Sequence, residues 1–326
     1  MPSMSPPIQR GPSRPATPAH EDDFRPAAES TEPTAVLRGT TVEIVRRPNS
    51  VAPRHVLFDF DGTLSLIREG WSEVMVAMMV EVLQTTGSGE SAEQLEKTVR
   101  HFVAELTGKQ TIYQMIRLAE EVERRGAAAL DPLEYKRRYH NRLMERIEWR
   151  RRALADGRAA PRDMLVPGSL ELLDELRRRG ASLYLASGTD EPYVVEEVRL
   201  LRLEEYFGRH VYAARDDYRS FSKAMVIQRI LADHGVRGEV LLGFGDGYVE
   251  IQNVKQAGGT AVGVASDEAA RSGRPDPWKR DRLLGAGADV IVPDYRDWAP
   301  LTAYLWGETP PEQLVAFGGA RPSGCG

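Results

Sequence analysis

The chain has 326 residues, a length that fits about two domains, and its 28% charged and 41% apolar residues are those of an ordinary globular enzyme. A net charge of −5 supplies no field for polyanions, so nucleic acid is not an expected partner, and no apolar run approaches the ~18 residues of a membrane span. The single cysteine, Cys325, rules out a disulfide framework and a cysteine-based zinc site; this suits a reducing cytosol, and a cytoplasmic location is expected.

Residues 1–33 open with "MPSMSPPIQRGPSRPATPAHEDD", rich in Pro and Ser and without the apolar core of a secretory signal, and read as a disordered leader. "TAVLRGTTVEIVRR" (Thr34–Arg47) carries β-branched residues around "RGT" and fits an extended ribbon. "HVLFDF" follows as a strand and ends at "DGT". From Gly70 to about Arg158 the pattern is helical, in four stretches: "GWSEVMVAMMVEVLQ", "SAEQLEKTVRHFVAEL", "TIYQMIRLAEEVERRG" and "DPLEYKRRYHNRLMERIEWRRRALADG". Ser91 and the Asp131-Pro132 pair stand in helix-start positions.

Alternation then begins. "PGSLELLDELRRRG" is a helix stopped by Gly180, and "ASLYLASGT", "HVYAA", "EVLLGFGDG", "TAVGVAS" and "ADVIVPD" are short strands. Helices from Ser222, Tyr248 and Trp278 lie between them. Such alternation predicts an α/β fold, a Rossmann-like doubly wound parallel sheet. The helical block of about 90 residues after the first strand is too long for a crossover and is expected to be a separate all-α lobe. The predicted division is residues 34–66 with 160–308 as core, 67–159 as helical cap, and 309–326 as a flexible tail.

Ligands of a parallel sheet sit beyond the carboxyl ends of its strands. Applied here, that rule gathers Asp59 and Asp61 from the first strand and Ser187, Gly188 and Thr189 from "ASGT". It adds Lys223 at a helix start, then Asp246 with Glu250 one helical turn later. Two carboxylates ~4 Å apart repel by roughly 4 kcal/mol at a dielectric near 20, so such a pair implies a cation to hold or a proton to move. On a strand Asp59 and Asp61 would face the same side.

"DFDGT", "ASGT", "SFSKA" and "GFGDGYVE" occur in the order and setting of the haloacid dehalogenase-like superfamily. The chain resembles a phosphatase-type member with an α-helical cap after the first motif, over Arg54 to Pro293. The resemblance implies Mg²⁺-dependent hydrolysis of a small organic phosphate monoester, sugar phosphates among the plausible ones, through an aspartyl phosphate. Asp59 would be the nucleophile, Asp61 the acid and base, and Lys223 a balancing charge. Gly62, Thr63, Ser187, Gly188 and Thr189 would bind phosphate or substrate. Asp59, Asp61 (through its carbonyl), Asp246 and Glu250 would hold the metal, Glu250 through water. "GDGYVE" departs from the paired-aspartate form of the fourth motif, and the cap is long for the family.

Several of these residues have plainer readings. "DFDGT" could be a surface turn, Lys223 a solvated lysine, Glu250 an exposed helix residue, and Thr189 with Asp190 the cap of a helix from Glu191. "TGKQT" (Thr107–Thr111) is either an interhelical turn or a loop that brings Lys109 or Gln110 to substrate, and Arg68 either enters the cleft or does not. The basic run "EWRRRALADGR" is read as a solvated helix face. Two other functions stay open: a phosphomutase of the β-phosphoglucomutase-like type, and a non-catalytic phosphate switch like a receiver domain. Asp61 and the long insert argue against the switch. The sequence does not assign an oligomeric state.

Overall fold

The computed structural model describes residues 32–317. The expected disordered leader falls outside these residues apart from 32 and 33, as does the tail beyond 317. Among the described residues the strands are β1 (Ala35–Leu37), β2 (Glu43–Ile44), β3 (His55–Phe58), β4 (Ser182–Asp190), β5 (Val211–Ala214), β6 (Leu241–Gly245), β7 (Thr260–Val264), β8 (Val290–Val292) and β9 (Leu314–Ala316). The helices are α1 (Trp71–Gln84), α2 (Ala92–Leu106), α3 (Thr111–Arg124), α4 (Pro132–Ala155), α5 (Ser169–Arg178), α6 (Glu191–Leu200), α7 (Glu204–Phe207), α8 (Lys223–His234), α9 (Tyr248–Gln256), α10 (Pro277–Ala286) and α11 (Trp298–Leu305).

All strands join one sheet in the order β5-β4-β3-β6-β7-β8-β2-β1-β9. The run from β5 to β8 is parallel. Within it β3, β6, β7 and β8 are buried at every position, as central parallel strands require, and the edge strand β5 is half-exposed at its start. The predicted doubly wound α/β class is what forms. At β3 the winding reverses, with β4 on one side and β6 on the other, which opens a crevice beyond their carboxyl ends.

The ribbon expected at Thr34–Arg47 is the β1–β2 hairpin, which adds antiparallel strands through β2 on β8. One expectation is corrected here. The segment read as a flexible tail from 309 contains β9, whose Leu314–Ala316 pairs with Leu37–Ala35. The edge of β1 has unpaired backbone groups that a returning strand satisfies.

Helix starts follow local chemistry. Ser91 Oγ accepts the amide of Gln94 at 3.2 Å while Gln94 returns its carbonyl to the Ser91 amide at 2.8 Å, a complete capping box on α2. Asp131 caps α4 through the Leu133 amide, with Pro132 in the first turn. Ser222 caps α8 through the Met225 amide at 3.1 Å, and this fixes where Lys223 begins the helix. Helices α1 to α4 pack around buried Leu83, Val99, Phe102, Met115, Leu118 and Ile147, in one apolar cluster with sheet residues such as Phe58 and Phe244. No helix of the described residues is long and apolar enough to cross a membrane.

Candidate active site

Beyond the ends of β3, β4 and β6 lies a cavity of about 90 Å³ lined by Asp59, Asp61, Ser187, Gly188, Thr189, Lys223 and Asp246. Helices α1 to α4 and their loops supply Trp71, Met75, Thr107–Lys109, Thr111, Gln114 and Tyr139 to its other wall.

Asp59 follows β3, and its amide donates to Phe244 O on β6 at 2.9 Å. Lys223 Nζ donates to Asp59 Oδ1 at 2.8 Å, with both side chains buried. Burial pushes the Asp59 carboxyl up, Lys223 opposes this, and the charge of Asp246 adds to the rise. Asp61 stands in different company. Thr189 Oγ1 donates to its Oδ2 at 2.9 Å, and Arg68 Nε lies 3.6 Å from its Oδ1. Burial lifts Asp61 to about 6 although Arg68 pulls it down. Arg68 is itself held by a two-pronged contact with Glu197 on α6, at 3.1 and 2.8 Å, and lies over the Tyr193 ring. It does enter the cleft.

The remaining expected residues sort into those that face the cavity and those that hold others. Ser187 Oγ accepts the Thr189 amide at 3.0 Å, which leaves its own proton for a ligand. Asp190 begins α6 without a side-chain cap bond. It receives Lys136 Nζ at 2.6 Å, with His140 Nδ1 at 3.4 Å, so the capping alternative for Thr189 and Asp190 does not form. Gly62 has φ +73, a conformation that favours glycine, and a Cβ there would sit 2.2 Å from Asp246 Oδ2. The Thr63 hydroxyl does not reach for phosphate: it accepts the Asp246 amide at 3.0 Å and so anchors the fourth motif to the first.

Glu250 also differs from expectation. Its buried carboxylate is set against Lys223. The acid beside Asp246 is Glu268; both contact Lys279. Sequence reasoning missed Glu268, Ser266 and Lys279. The first two follow β7 in "ASDE", so the strand-end rule could have found them, whereas Lys279 carried no signal. The "TGKQT" loop is more than a turn. Gln110 Nε2 donates to Tyr218 O and Phe221 O at 3.1 and 2.8 Å, just before Lys223, and Lys109 lines the cavity.

The family model for haloacid dehalogenase-like hydrolases matches residues 53–258, more than half of the chain. The chain belongs to this family. As a haloacid dehalogenase-like hydrolase it shares its fold with a family protein from Agrobacterium tumefaciens, with 19% identity over 77% of this chain and 98% of that one and a TM-score of 0.50. A β-phosphoglucomutase from Clostridium difficile gives 11% identity over 78% of this chain and 98% of that one, also at 0.50. No curated protein matches the chain.

The Mg²⁺ expected of this hydrolase can be tested against its donors. Asp59 and Asp246 both line the cavity and offer carboxylate oxygens, the donors Mg²⁺ takes. Among the described residues no cluster of three or more His, Cys, Asp or Glu side chains encloses a metal position. Mg²⁺ needs less than that, since it keeps several waters and binds through one or two carboxylates. The residues fit.

Proposed function

We propose that this hydrolase cleaves a small organic phosphate monoester by way of an aspartyl phosphate on Asp59. The observation that carries the reading is the contrast between two neighbouring acids, one paired with the Lys223 ammonium and the other held by Thr189 and Arg68. Phosphoryl transfer of this kind needs an ionised nucleophile and a separate group that holds a proton.

Asp59 Oδ attacks phosphorus, the bond from phosphorus to the ester oxygen breaks, and that oxygen takes the proton of Asp61. Water then gives a proton to Asp61 and attacks phosphorus, and the bond to Asp59 breaks to release phosphate. Burial lifts both Asp59 and Asp61 to about 6, so it is their partners, and not their pKa values, that separate the two roles; Asp61 at about 6 is near the working range of such an acid and base. A dianionic phosphate ~4 Å from a carboxylate meets a repulsion of roughly 8 kcal/mol at a dielectric near 20. Lys223 offsets part of this, and Ser187 Oγ with the Gly188 amide can hold phosphate oxygens. Mg²⁺, held by Asp59, Asp246 and the Asp61 carbonyl, would supply further positive charge when bound.

Helices α1, α3 and α4 with the loop between α2 and α3 contribute the wall that would face the leaving group, and the limited cavity fits a small one. A phosphomutase would use the same residues but would not release phosphate. The test is phosphate release over a panel of phosphorylated metabolites with Mg²⁺ and with EDTA. The expected result is metal-dependent release on at least one small monoester and none from Asp59→Asn. Release undiminished in Asp59→Asn would remove the assignment, and release only as transfer to a second hydroxyl would favour the mutase.

A further inference from the structure

Lys279 lies in the first turn of α10, and the reaction above does not use it. Its side chain is 12% exposed. The ammonium meets three acceptors: Asp246 Oδ2 at 2.8 Å, Ser266 Oγ at 3.0 Å and Glu268 Oε1 at 2.6 Å. A lysine has three N–H donors, so none is left for a substrate phosphate. Ser266 in turn donates to Gly62 O at 2.6 Å, which ties this group to the turn that follows Asp61. A Cβ on Gly62 would lie 2.2 Å from Asp246 Oδ2 and 2.9 Å from Glu268 Oε1, so both carboxylates crowd the same stretch of backbone.

We propose that Lys279 is a tethered cation that occupies one carboxylate oxygen of Asp246 and competes, by charge, with a divalent metal for that residue. The inference rests on the reading of Asp246 as a metal ligand. A metal on the other Asp246 oxygen would sit one carboxylate away from a fixed positive charge, in a setting where water screens little. Glu268 offsets the ammonium in the metal-free protein. Asp246 does not depend on Lys279 for its place, since Thr63 holds its amide and Gly62 packs against its carboxyl. The consequence is a free enzyme that binds metal weakly until the negative charge of a phosphate substrate joins it.

The sign separates this role from that of an orienting partner, whose loss weakens metal binding by about 10–100-fold. Mn²⁺ binding to the substrate-free protein is measured by calorimetry for wild type, Lys279→Met and Asp246→Asn, with thermal unfolding recorded with and without Mn²⁺. Lys279→Met is expected to bind Mn²⁺ at least about tenfold more tightly than wild type. It should also melt lower than wild type without metal and gain more from saturating Mn²⁺. Should the methionine variant not fold, Lys279→Gln, which keeps hydrogen-bonding groups and drops the charge, carries the same expectation. Unchanged or weaker binding in the lysine variant, with wild type binding and Asp246→Asn not, overturns the competition and leaves the metal reading intact. Failure of wild type and of both lysine variants to bind Mn²⁺ removes the metal reading and this inference with it.

Discussion

Asp59 and Asp61 are close in sequence, yet their neighbours differ. Lys223 favours charge on Asp59, whereas Asp61 is reached by a hydroxyl and, at longer range, by an arginine already engaged with Glu197. If Asp61 protonates the leaving oxygen, its loss matters most where that oxygen is basic. Asp61→Asn should slow hydrolysis of an alkyl phosphate by about 10²–10⁴-fold. The loss should be clearly smaller for 4-nitrophenyl phosphate, whose leaving group departs as an anion. The kcat/KM values for the two esters, which report the first transfer and not the second step they share, check this, and equal losses would take the acid role away from Asp61. A second residue-scale case is His140, buried against Asp190 and held neutral by desolvation, with the Arg68 and Lys136 charges adding to the effect. Its pKa falls from 6.5 to about 3, so between those values the unfolded chain binds a proton that the folded protein refuses. Stability is therefore lost as pH falls below 6.5, by about 2 kcal/mol near pH 5. Burial raises Asp190, which acts in the opposite sense, so the contribution of His140 is isolated by a variant. Urea unfolding of His140→Gln between pH 7 and pH 5 should show a flatter decline than wild type; an identical decline would contradict it.

At the scale of elements, glycine positions show how backbone shape brings the site together. Gly168, at φ +84 before α5, leaves no room for a side chain: a Cβ would meet Tyr295 O at 2.2 Å. Tyr295 in turn donates to Thr63 O at 2.9 Å, in the loop that follows Asp59. Gly168→Ala should destabilise the protein by about 1–3 kcal/mol, measured as a lower urea midpoint with an unchanged slope. An unchanged midpoint would show that the loop relaxes without cost. Much at this scale was legible beforehand. The alternation from "PGSLELLDELRRRG" to "ADVIVPD" led to the parallel sheet because buried strands and amphipathic helices write distinct periods. Ser91 and Ser222 marked helix starts through cap chemistry that is local in sequence. β9 was not legible, since three residues carry no period and their strand exists only because β1 offers an open edge. Glu250 illustrates the other limit. Its spacing from Asp246 was visible, but which neighbour it would meet depended on the approach of α8, a tertiary fact. Lys279 lay beyond reach for the same reason.

For the molecule as a whole, the active-site cavity lies between two bodies of structure joined by polar contacts. Gln110 bonds backbone oxygens ahead of Lys223, Arg282 donates to Glu105 O at 2.7 Å, and Arg150 donates to Ile67 O and Glu69 O. These contacts place the α1–α4 side against the loops that hold Asp59 and Lys223. The chemistry still depends on one side chain. Incubation of Asp61→Asn with 4-nitrophenyl phosphate and Mg²⁺, followed by acid quenching and peptide mass spectrometry, examines it directly. The leaving group needs no proton while the second step has lost its base, so one phosphoryl group is expected on the peptide that contains Asp59, labile to hydroxylamine. Wild-type protein that turns over this ester while the variant shows no phosphoryl group on Asp59, or shows it on another residue, would contradict the account.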